Sequence, residues 1–277
     1  MGILDRIRES KLAEVAAARS RVPEAELRAR AAELGPTRGF AAAIRGARPA
    51  DQPRRPGGTI QVVAEVKKAS PSVGVIRPDF DPVAIARAYA AGGAAAISCL
   101  TDAPFFQGSL EYLRRIREAV ALPLLRKEFM LDPYQVWEAR AAGADAILLI
   151  AGFVDNSLLA DIRAVARAAG LDVLVEIHDA DELDAALALD PDVLGINNRN
   201  LRDERFDTDL RRTLALAARV PPTQSFISES GIRTAADVER LRAAAIDGIL
   251  VGEHLMREPD PGAAIRAKLG LGAAARP

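Results

Sequence analysis

The sequence is poor in the residues that build disulfides and metal sites. It contains one cysteine, Cys99, so an internal disulfide is excluded. This cysteine lies in the apolar run "AAAISCL", which favours a thiol packed in a strand. His178 and His254 are the only histidines, and neither is spaced with carboxylates or the cysteine as a metal-ligand set. P-loop, H-E-x-x-H, flavin and nicotinamide fingerprints are also missing, so we expect neither a metal nor a cofactor.

An excess of one charge and long apolar runs are missing as well. Lys and Arg number 37 against 38 Asp and Glu, which gives a net charge of −1. A protein that binds nucleic acid or an anionic membrane would need a basic excess. No apolar run approaches the ~18 residues of a membrane span, and with charges from Asp5 onward no signal peptide is visible. We expect a cytoplasmic protein that binds neither nucleic acid nor membrane.

The sequence is rich in apolar residues, at 49% of the chain, and in a recurring unit. From Thr59 onward a short apolar strand is followed by a polar turn and then by an alanine-rich helix, such as "DPVAIARAYAAGG". Strands are predicted at 60–67, 95–100, 123–127, 145–150, 173–177, 193–197, 224–229 and 247–251. Nearly continuous apolar character is typical of parallel strands covered on both faces. Eight such units predict the α/β class and a closed (β/α)8 TIM barrel. An open Rossmann sheet is disfavoured because no G-x-G-x-x-G follows the first strand.

The residues before the first strand predict a separate helical extension. "ILDRIRESKLAEVAAARSRV" places Ile3, Ile7, Leu12 and Val15 near one helical face, and "PEAELRARAAEL" predicts a second short helix. Residues 46–58, "GARPADQPRRPGG", are rich in proline and glycine and indicate a linker. We therefore expect residues 1–58 to form an N-terminal helical extension and linker, packed on a barrel domain of residues 59–277.

Charged side chains stand where several predicted strands end. Glu65 and Lys67 end the first strand, Lys127 the third and Glu176 the fifth. The active site of this fold lies at these strand ends, so the four charges could converge at one mouth. Strand side chains alternate in direction, which places Lys67 on the face of Glu65 and Lys68 on the opposite face. Desolvated lysine and glutamate pairs suit general acid–base chemistry. The alternative is that individual charges solvate the rim or form structural ion pairs.

The turns after the last two strands favour a phosphate site. "SESGI" (228–232) and "LVGEHL" (250–255) place Gly231 and Gly252 where barrels often bind phosphate. Glycine lets backbone N–H groups approach an anion closely. Ser70, in the loop after the first strand, could add its hydroxyl or simply cap a turn. Ordinary turn glycines are the alternative.

Other residues at strand ends are further candidates. The sixth strand ends with Asn197 and Arg199, and the seventh with Glu229 and Ser230. Three phenylalanines follow or end the second and third strands. They either line a pocket for an aromatic ring or close the top of the barrel: Phe105, Phe106 and Phe129.

Eight motifs, in order and at matching spacing, resemble the indole-3-glycerol-phosphate synthase family of tryptophan biosynthesis. They are "VVAEVKKASPS", "LTDAPFFQGSLEYL", "PLLRKEFMLDPYQ", "GADAILLI", "LVEIH", "GINNRNL", "SESGI" and "LVGEHLM". "ILDRIRESKLAEV" is similar to the extra helix that this family places before its barrel, so the likeness covers nearly the whole chain. It implies a carboxy-lyase without cofactor or metal. That enzyme converts 1-(2-carboxyphenylamino)-1-deoxyribulose 5-phosphate to indole-3-glycerol phosphate, releasing CO₂ and water. Other enzymes of tryptophan biosynthesis are the partners that the resemblance leaves open.

The resemblance also implies a role for each matching residue. Lys127 would be the general acid at the ketone oxygen during ring closure, and Glu176 the base partner in dehydration. Lys67 would contact the carboxylate to be lost and assist proton transfer, with Glu65 orienting the lysines. Asn197 and Arg199 would hold the substrate and the surrounding network, and Ser230 matches a residue at the reacting end. Ser70, Gly231, Gly252 and, through its backbone, Glu253 would surround the phosphate.

Two positions depart from the family pattern. His254 stands where the family often has serine, which puts side-chain contacts at that turn in question. Glu128 stands where aspartate is common. Strand alternation predicts that Glu128 faces away from Lys127, so little effect on the site is expected.

Two other functions stay open at this point. The neighbouring phosphosugar barrel, phosphoribosylanthranilate isomerase, works with an early cysteine and a late aspartate, and the first strand here ends without cysteine. A non-catalytic relative that binds an anthranilate-like phosphate or a protein should have lost Lys127 or Glu176, and both are present. An indole fluorescence signal formed without added cofactor would discriminate among the three.

Overall fold

The computed structural model describes residues 2–199 and 207–271. The end of the motif "GINNRNL" and the last six residues of the predicted barrel domain lie outside the described residues. Within the described ranges, no helix is both long enough and apolar enough to cross a membrane.

Eight parallel strands form a closed barrel, as the recurring apolar strands predict. Each strand pairs with its neighbours in the chain, and the last pairs with the first. In chain order the barrel strands are Gln61–Val66, Ala96–Leu100, Leu124–Lys127, Ala146–Ile150, Asp172–Ile177, Val193–Asn197, Phe226–Glu229 and Gly248–Val251. All eight lie close to the predicted bounds, and the predicted TIM barrel is confirmed.

Helices connect the strands and cover the outside of the barrel. Several begin at an aspartate whose carboxylate accepts backbone N–H bonds, as Asp81, Asp155 and Asp260 do. The helices after the first strand are Pro82–Gly92, Ala103–Phe106, Leu110–Ala119, Tyr134–Ala141, Asn156–Ala168, Leu183–Ala188, Arg211–Leu216, Ala235–Ala243, Glu253–Met256 and Pro261–Leu269, with a 3-10 turn at Ala180–Glu182. A short hairpin, Ala69–Ser70 with Gly74–Val75, follows the first strand and was not predicted.

Alternation along the strands divides the apolar core into two layers. In the first strand, Val62 and Ala64 face the layer between the strands and the helices. Val63 faces the barrel interior, where it packs with residues such as Leu125 and Leu174. The interior layer fills the barrel below its mouth, so the polar residues that end the strands project above an apolar floor.

Three helices precede the first strand: Ile3–Arg21, Glu24–Glu33 and Phe40–Arg45. The first two were predicted, and the third was missed because its six residues offer little periodicity. Ile7 of the first helix and Phe40 of the third belong to the same apolar cluster as the barrel interior. The predicted face of the first helix was wrong at Leu12, which is 58% exposed. The buried position is its neighbour, Lys11.

Candidate active site

The carboxyl ends of the strands surround a cavity of about 490 Å³, a size typical of small-molecule sites. The site residues predicted from the sequence line this cavity, except that of the three candidate phenylalanines Phe105 is not among the lining residues. Those that line it are Glu65, Lys67, Ser70, Phe106, Lys127, Phe129, Glu176, Asn197, Arg199, Ser230, Gly231, Gly252 and Glu253. The barrel topology predicted these residues at the carboxyl end of the strands, and the structure brings them together around one cavity.

Lys127 lies at the centre of the charged part of the cavity. Its Nζ is 2.8 Å from Oε2 of Glu176 and 2.6 Å from Oε2 of Glu229. The other oxygen of Glu176 accepts a hydrogen bond of 3.1 Å from Nδ2 of Asn197. Both glutamates are almost completely buried. One ammonium group therefore separates two carboxylates from the fifth and seventh strands.

The two glutamates differ in the direction of their pKa shifts. Burial, against the pull of Lys127 and with the repulsion of Glu176, raises the pKa of Glu229 to about 8. Burial would also raise the pKa of Glu176, but Lys127 and His178 outweigh it and lower that pKa to about 2. Burial opposes the charge of Lys127, yet both glutamates hold its pKa above the ordinary value. Lys127 and Glu176 are thus held as a charged pair, whereas burial favours the protonated form of Glu229.

Glu229 is the strand-end residue to which the sequence analysis assigned no role in the site. The sequence does place it at the end of the seventh strand, as Glu176 ends the fifth, and this signal would have sufficed. Its Oε1 is buried and has no hydrogen-bond partner among the described residues. A Cβ at Gly195 of the sixth strand would lie 2.3 Å from this oxygen, so only glycine leaves room for the carboxyl group.

Glu65 and Lys67 form a second pair on the same face of the first strand. Nζ of Lys67 is 2.5 Å from Oε1 of Glu65. Lys68 is not among the described residues that line the cavity, in agreement with strand alternation. A Cβ at Gly252 would lie 2.2 Å from Oε1 of Glu65. The close approach predicted at Gly252 therefore serves the Glu65 side chain, and its approach to phosphate stays a prediction.

The side of the cavity predicted for phosphate carries hydroxyl and guanidinium groups. Arg199 donates from Nη1 to Oγ of Ser72 at 3.2 Å and from Nη2 to Oε2 of Glu253 at 3.3 Å. Ser230 and Gly231 both have positive φ, at 66° and 80°, so the backbone turns sharply after the seventh strand. Arg257 also donates to the Glu253 carboxylate, at 2.9 Å. The backbone role predicted for Glu253 remains untested beside these side-chain contacts.

Another part of the cavity lining is apolar and aromatic. The ring centroids of Phe106 and Phe129 are 6.1 Å apart. Phe129 is buried and also packs against Phe153 at 5.4 Å. The first helix adds three aliphatic side chains, Ile3, Leu4 and Ile7. This apolar wall has the shape and chemistry to receive a flat aromatic ring.

Comparisons with known proteins give one family for nearly the whole chain. The family described as indole-3-glycerol phosphate synthase matches residues 4–268. The indole-3-glycerol phosphate synthase of Aromatoleum aromaticum (strain DSM 19018 / LMG 30748 / EbN1) is 51% identical over 268 residues, covering 97% of this chain and 99% of that protein. The same enzyme of Laribacter hongkongensis (strain HLHK9) is also 51% identical, covering 95% and 97%. A solved 3-hexulose-6-phosphate synthase shares the barrel fold, with a TM-score of 0.59, 19% identity and coverage of 75% of this chain and 97% of that one. The chain thus belongs to the indole-3-glycerol phosphate synthase family.

Proposed function

We propose that this chain is a carboxy-lyase that acts on 1-(2-carboxyphenylamino)-1-deoxyribulose 5-phosphate. It would close the second ring, release CO₂ and release water to form indole-3-glycerol phosphate. The observation that carries the proposal is Lys127, held between Glu176 and Glu229 in the cavity, with an apolar wall on one side and arginine and hydroxyl groups on another. An aromatic acid joined to a sugar phosphate needs all three environments.

Ring closure requires a more electrophilic ketone. The ring carbon that bears the carboxylate attacks the ketone carbon, and the carbonyl electron pair moves to oxygen. Lys127 donates a proton to that oxygen, so a hydroxyl group forms instead of an alkoxide. Glu176 keeps the lysine charged before the transfer, and its negative charge stabilises the ammonium until the oxygen becomes basic.

Decarboxylation follows because the attack has cost the ring its aromaticity. The carbon–carbon bond to the carboxylate breaks, CO₂ leaves, and the electron pair restores the aromatic ring. Lys67 lies near the mouth with its charge held by Glu65, where it can contact the carboxylate before it is lost. The apolar surroundings of Phe106 and Phe129 would favour the loss, since a neutral product replaces a carboxylate.

Dehydration completes the indole. The new hydroxyl leaves as water with a proton from Lys67, and Glu176 takes a proton from the methylene carbon next to the nitrogen. Glu176 then returns a proton to Lys127 and Lys67 takes one from solvent, so the overall reaction consumes one proton. Asn197 holds the Glu176 carboxylate in place through its 3.1 Å hydrogen bond. Ser230 and Arg199 would hold the substrate, while Ser70, Gly231, Gly252 and Glu253 would surround its phosphate. The three reaction steps exchange no electrons with a second compound, so the reaction needs no redox cofactor.

One assay tests the proposal. The protein is incubated with the carboxyphenylamino-deoxyribulose phosphate alone, and release of CO₂ and appearance of indole fluorescence are followed together. Equal amounts of both products are expected. Conversion of the phosphoribosyl precursor, or binding without turnover, would instead favour the isomerase or the non-catalytic barrel. The cytoplasmic location and a partner enzyme of the same pathway stay predictions.

A further inference from the structure

A second buried cluster of charges lies outside the catalytic group. Its centre is Lys11 of the first helix, which is only 2% exposed. Nζ of Lys11 is 2.9 Å from Oδ2 of Asp102, 3.0 Å from Oε1 of Glu128 and 2.8 Å from Oε2 of Glu14. Asp102 and Glu128 belong to the barrel and are buried, whereas Glu14 belongs to the same helix as Lys11 and is 38% exposed.

Each barrel carboxylate in this cluster fixes one aromatic part of the cavity wall. Oδ1 of Asp102 accepts hydrogen bonds from the backbone N–H groups of Phe105 at 2.8 Å and Phe106 at 3.2 Å. Oε1 of Glu128 accepts one from the backbone N–H of Phe129 at 2.9 Å. Lys11 therefore contacts the two groups that set the backbone positions of Phe106 and Phe129.

Lys11 also holds the aliphatic part of the same wall. Ile7 lies one helical turn before Lys11 on the same buried face. Ile3 and Leu4 lie about one turn before Ile7, nearer the N-terminus. These three side chains line the cavity. The ion pairs of Lys11 thus join to the barrel the same helix of the N-terminal extension that supplies part of the cavity wall.

The cluster keeps Lys11 charged. Burial would lower the pKa of Lys11, but Glu128 and Asp102 outweigh it and hold that pKa above its ordinary value. Glu128 has a second cation, Arg126, at 3.6 Å. No ion pair of Asp102 with another cation is found within the described ranges. Removing the charge of Lys11 would therefore leave Asp102 as a buried anion, which is costly and would shift the groups around it.

We propose that Lys11 is a positioning residue for the aromatic end of the substrate. It holds Phe106, Phe129 and the first helix in the one arrangement that accepts a flat ring with a carboxylate. The inference rests on the proposed function, because that function supplies the ring. Lys11 lies outside the proton-transfer group and the phosphate side, so its effect falls on recognition of the ring.

The test compares Lys11→Met with two matched variants. In Lys11→Met, KM for the carboxyphenylamino-deoxyribulose phosphate should rise about tenfold or more, with kcat within about threefold of wild type. Inhibition by inorganic phosphate should stay within about twofold, because the phosphate side is separate. Lys11→Arg should recover most of the KM, since it restores the charge. Glu14→Gln should change KM less than about twofold, since it leaves both barrel carboxylates paired.

Several outcomes would overturn the inference. A wild-type KM in folded Lys11→Met would do so, and so would an equal loss of phosphate inhibition, which would mean a general loss of structure. If Lys11→Met does not fold, Asp102→Asn replaces it, because asparagine still caps the helix but has no charge. Asp102→Asn should raise KM about threefold with unchanged phosphate inhibition, and an unchanged KM would again overturn the inference. Absence of turnover in the wild type would refute the proposed function instead. In that case, fluorescence titration with 2-aminobenzoate still compares the wall in wild type and variants.

Discussion

The two ends of the barrel bury carboxylates in opposite ways. At the bottom, Oδ1 of Asp145 accepts from the backbone N–H of Arg38 at 2.7 Å, and Oδ2 accepts from that of Leu124 at 2.8 Å. Arg117 adds a charged donor at 2.7 Å. At the mouth, Glu176 and Glu229 share the single ammonium group of Lys127. The bottom carboxylate has a full set of fixed donors, whereas the mouth carboxylates compete for one.

This difference separates structural charges from reactive ones. Asp247 and Asp172 also accept a hydrogen bond from a backbone N–H at this end, of Phe226 at 3.0 Å and of Ala41 at 2.8 Å. Donors that belong to the backbone are fixed in place, so these carboxylates hold strands and extension together. The two mouth glutamates instead share one mobile ammonium group, and their pKa values shift in opposite directions, which is the condition for moving protons.

The largest effect is expected for Lys127→Ala, which tests whether the mouth charges are reactive. Its loss removes the only ammonium group between Glu176 and Glu229, and we expect kcat to fall at least ~10²–10⁴-fold. The two glutamates can then share one proton, so the barrel should still fold. Circular dichroism and single-turnover kinetics measure both effects. A variant with wild-type kcat would show that the mouth charges are structural, like those at the bottom.

At the bottom of the barrel, Asp145→Ala should lower stability and leave activity nearly unchanged. Removing this carboxylate leaves Arg117 and two backbone N–H groups without their acceptor. We expect the free energy of unfolding to fall by roughly 3–5 kcal/mol. Because Asp145 lies far from the cavity, kcat/KM of the folded protein should stay within about threefold. Urea unfolding and steady-state kinetics check the pair of results. Asp145→Asn is the milder control, and a large loss of kcat/KM there would contradict the separation of the two ends.

The first strand offers a comparison within one pair of neighbours. Lys67→Ala removes the cavity partner of Glu65 and should lower kcat/KM at least ~10²-fold, about 3 kcal/mol of transition-state stabilisation. Lys68→Ala should change it less than about fivefold, because that side chain does not line the cavity. Both variants are assayed with the same substrate preparation. A more damaging Lys68→Ala would mean that this alternation does not decide function.

The smallest expected effect, per pH unit, is a pH dependence of stability at Glu229. Its pKa is raised to about 8 in the folded protein from 4.5, so the folded state binds more protons between those values. Stability from this group is therefore complete below about pH 4.5 and is lost as pH rises toward 8. Glu229→Gln cannot titrate, so its free energy of unfolding should rise relative to wild type by roughly 1.4 kcal/mol for each pH unit across the window. Urea unfolding at about pH 5, 6.5 and 8 measures this drift, and a constant difference would place Glu229 with the fully bonded carboxylates.

The sequence determined the fold and the end of the barrel that carries the site. Eight apolar segments at βαβ spacing admit a closed barrel, because each must be covered on both faces. Alternation along a strand distinguished Lys67 from Lys68, since it depends only on local backbone geometry. Chain position at the strand ends identified most of the charged residues of the cavity before any contact was known, although it gave Glu229 no role.

Only the tertiary structure decided which charges meet. Lys127 pairs with glutamates 49 and 102 positions away, and barrel closure alone sets those distances. The apolar periodicity of the first helix favoured Leu12 as a buried residue. In the structure Lys11 faces inward instead, because it forms ion pairs with two buried carboxylates of the barrel. Gly252 and Gly195 leave room for Glu65 and Glu229, a requirement that arises between neighbouring strands. Local periodicity cannot predict such pairs, because the interaction energy of each pair depends on groups that come together only after the barrel has closed.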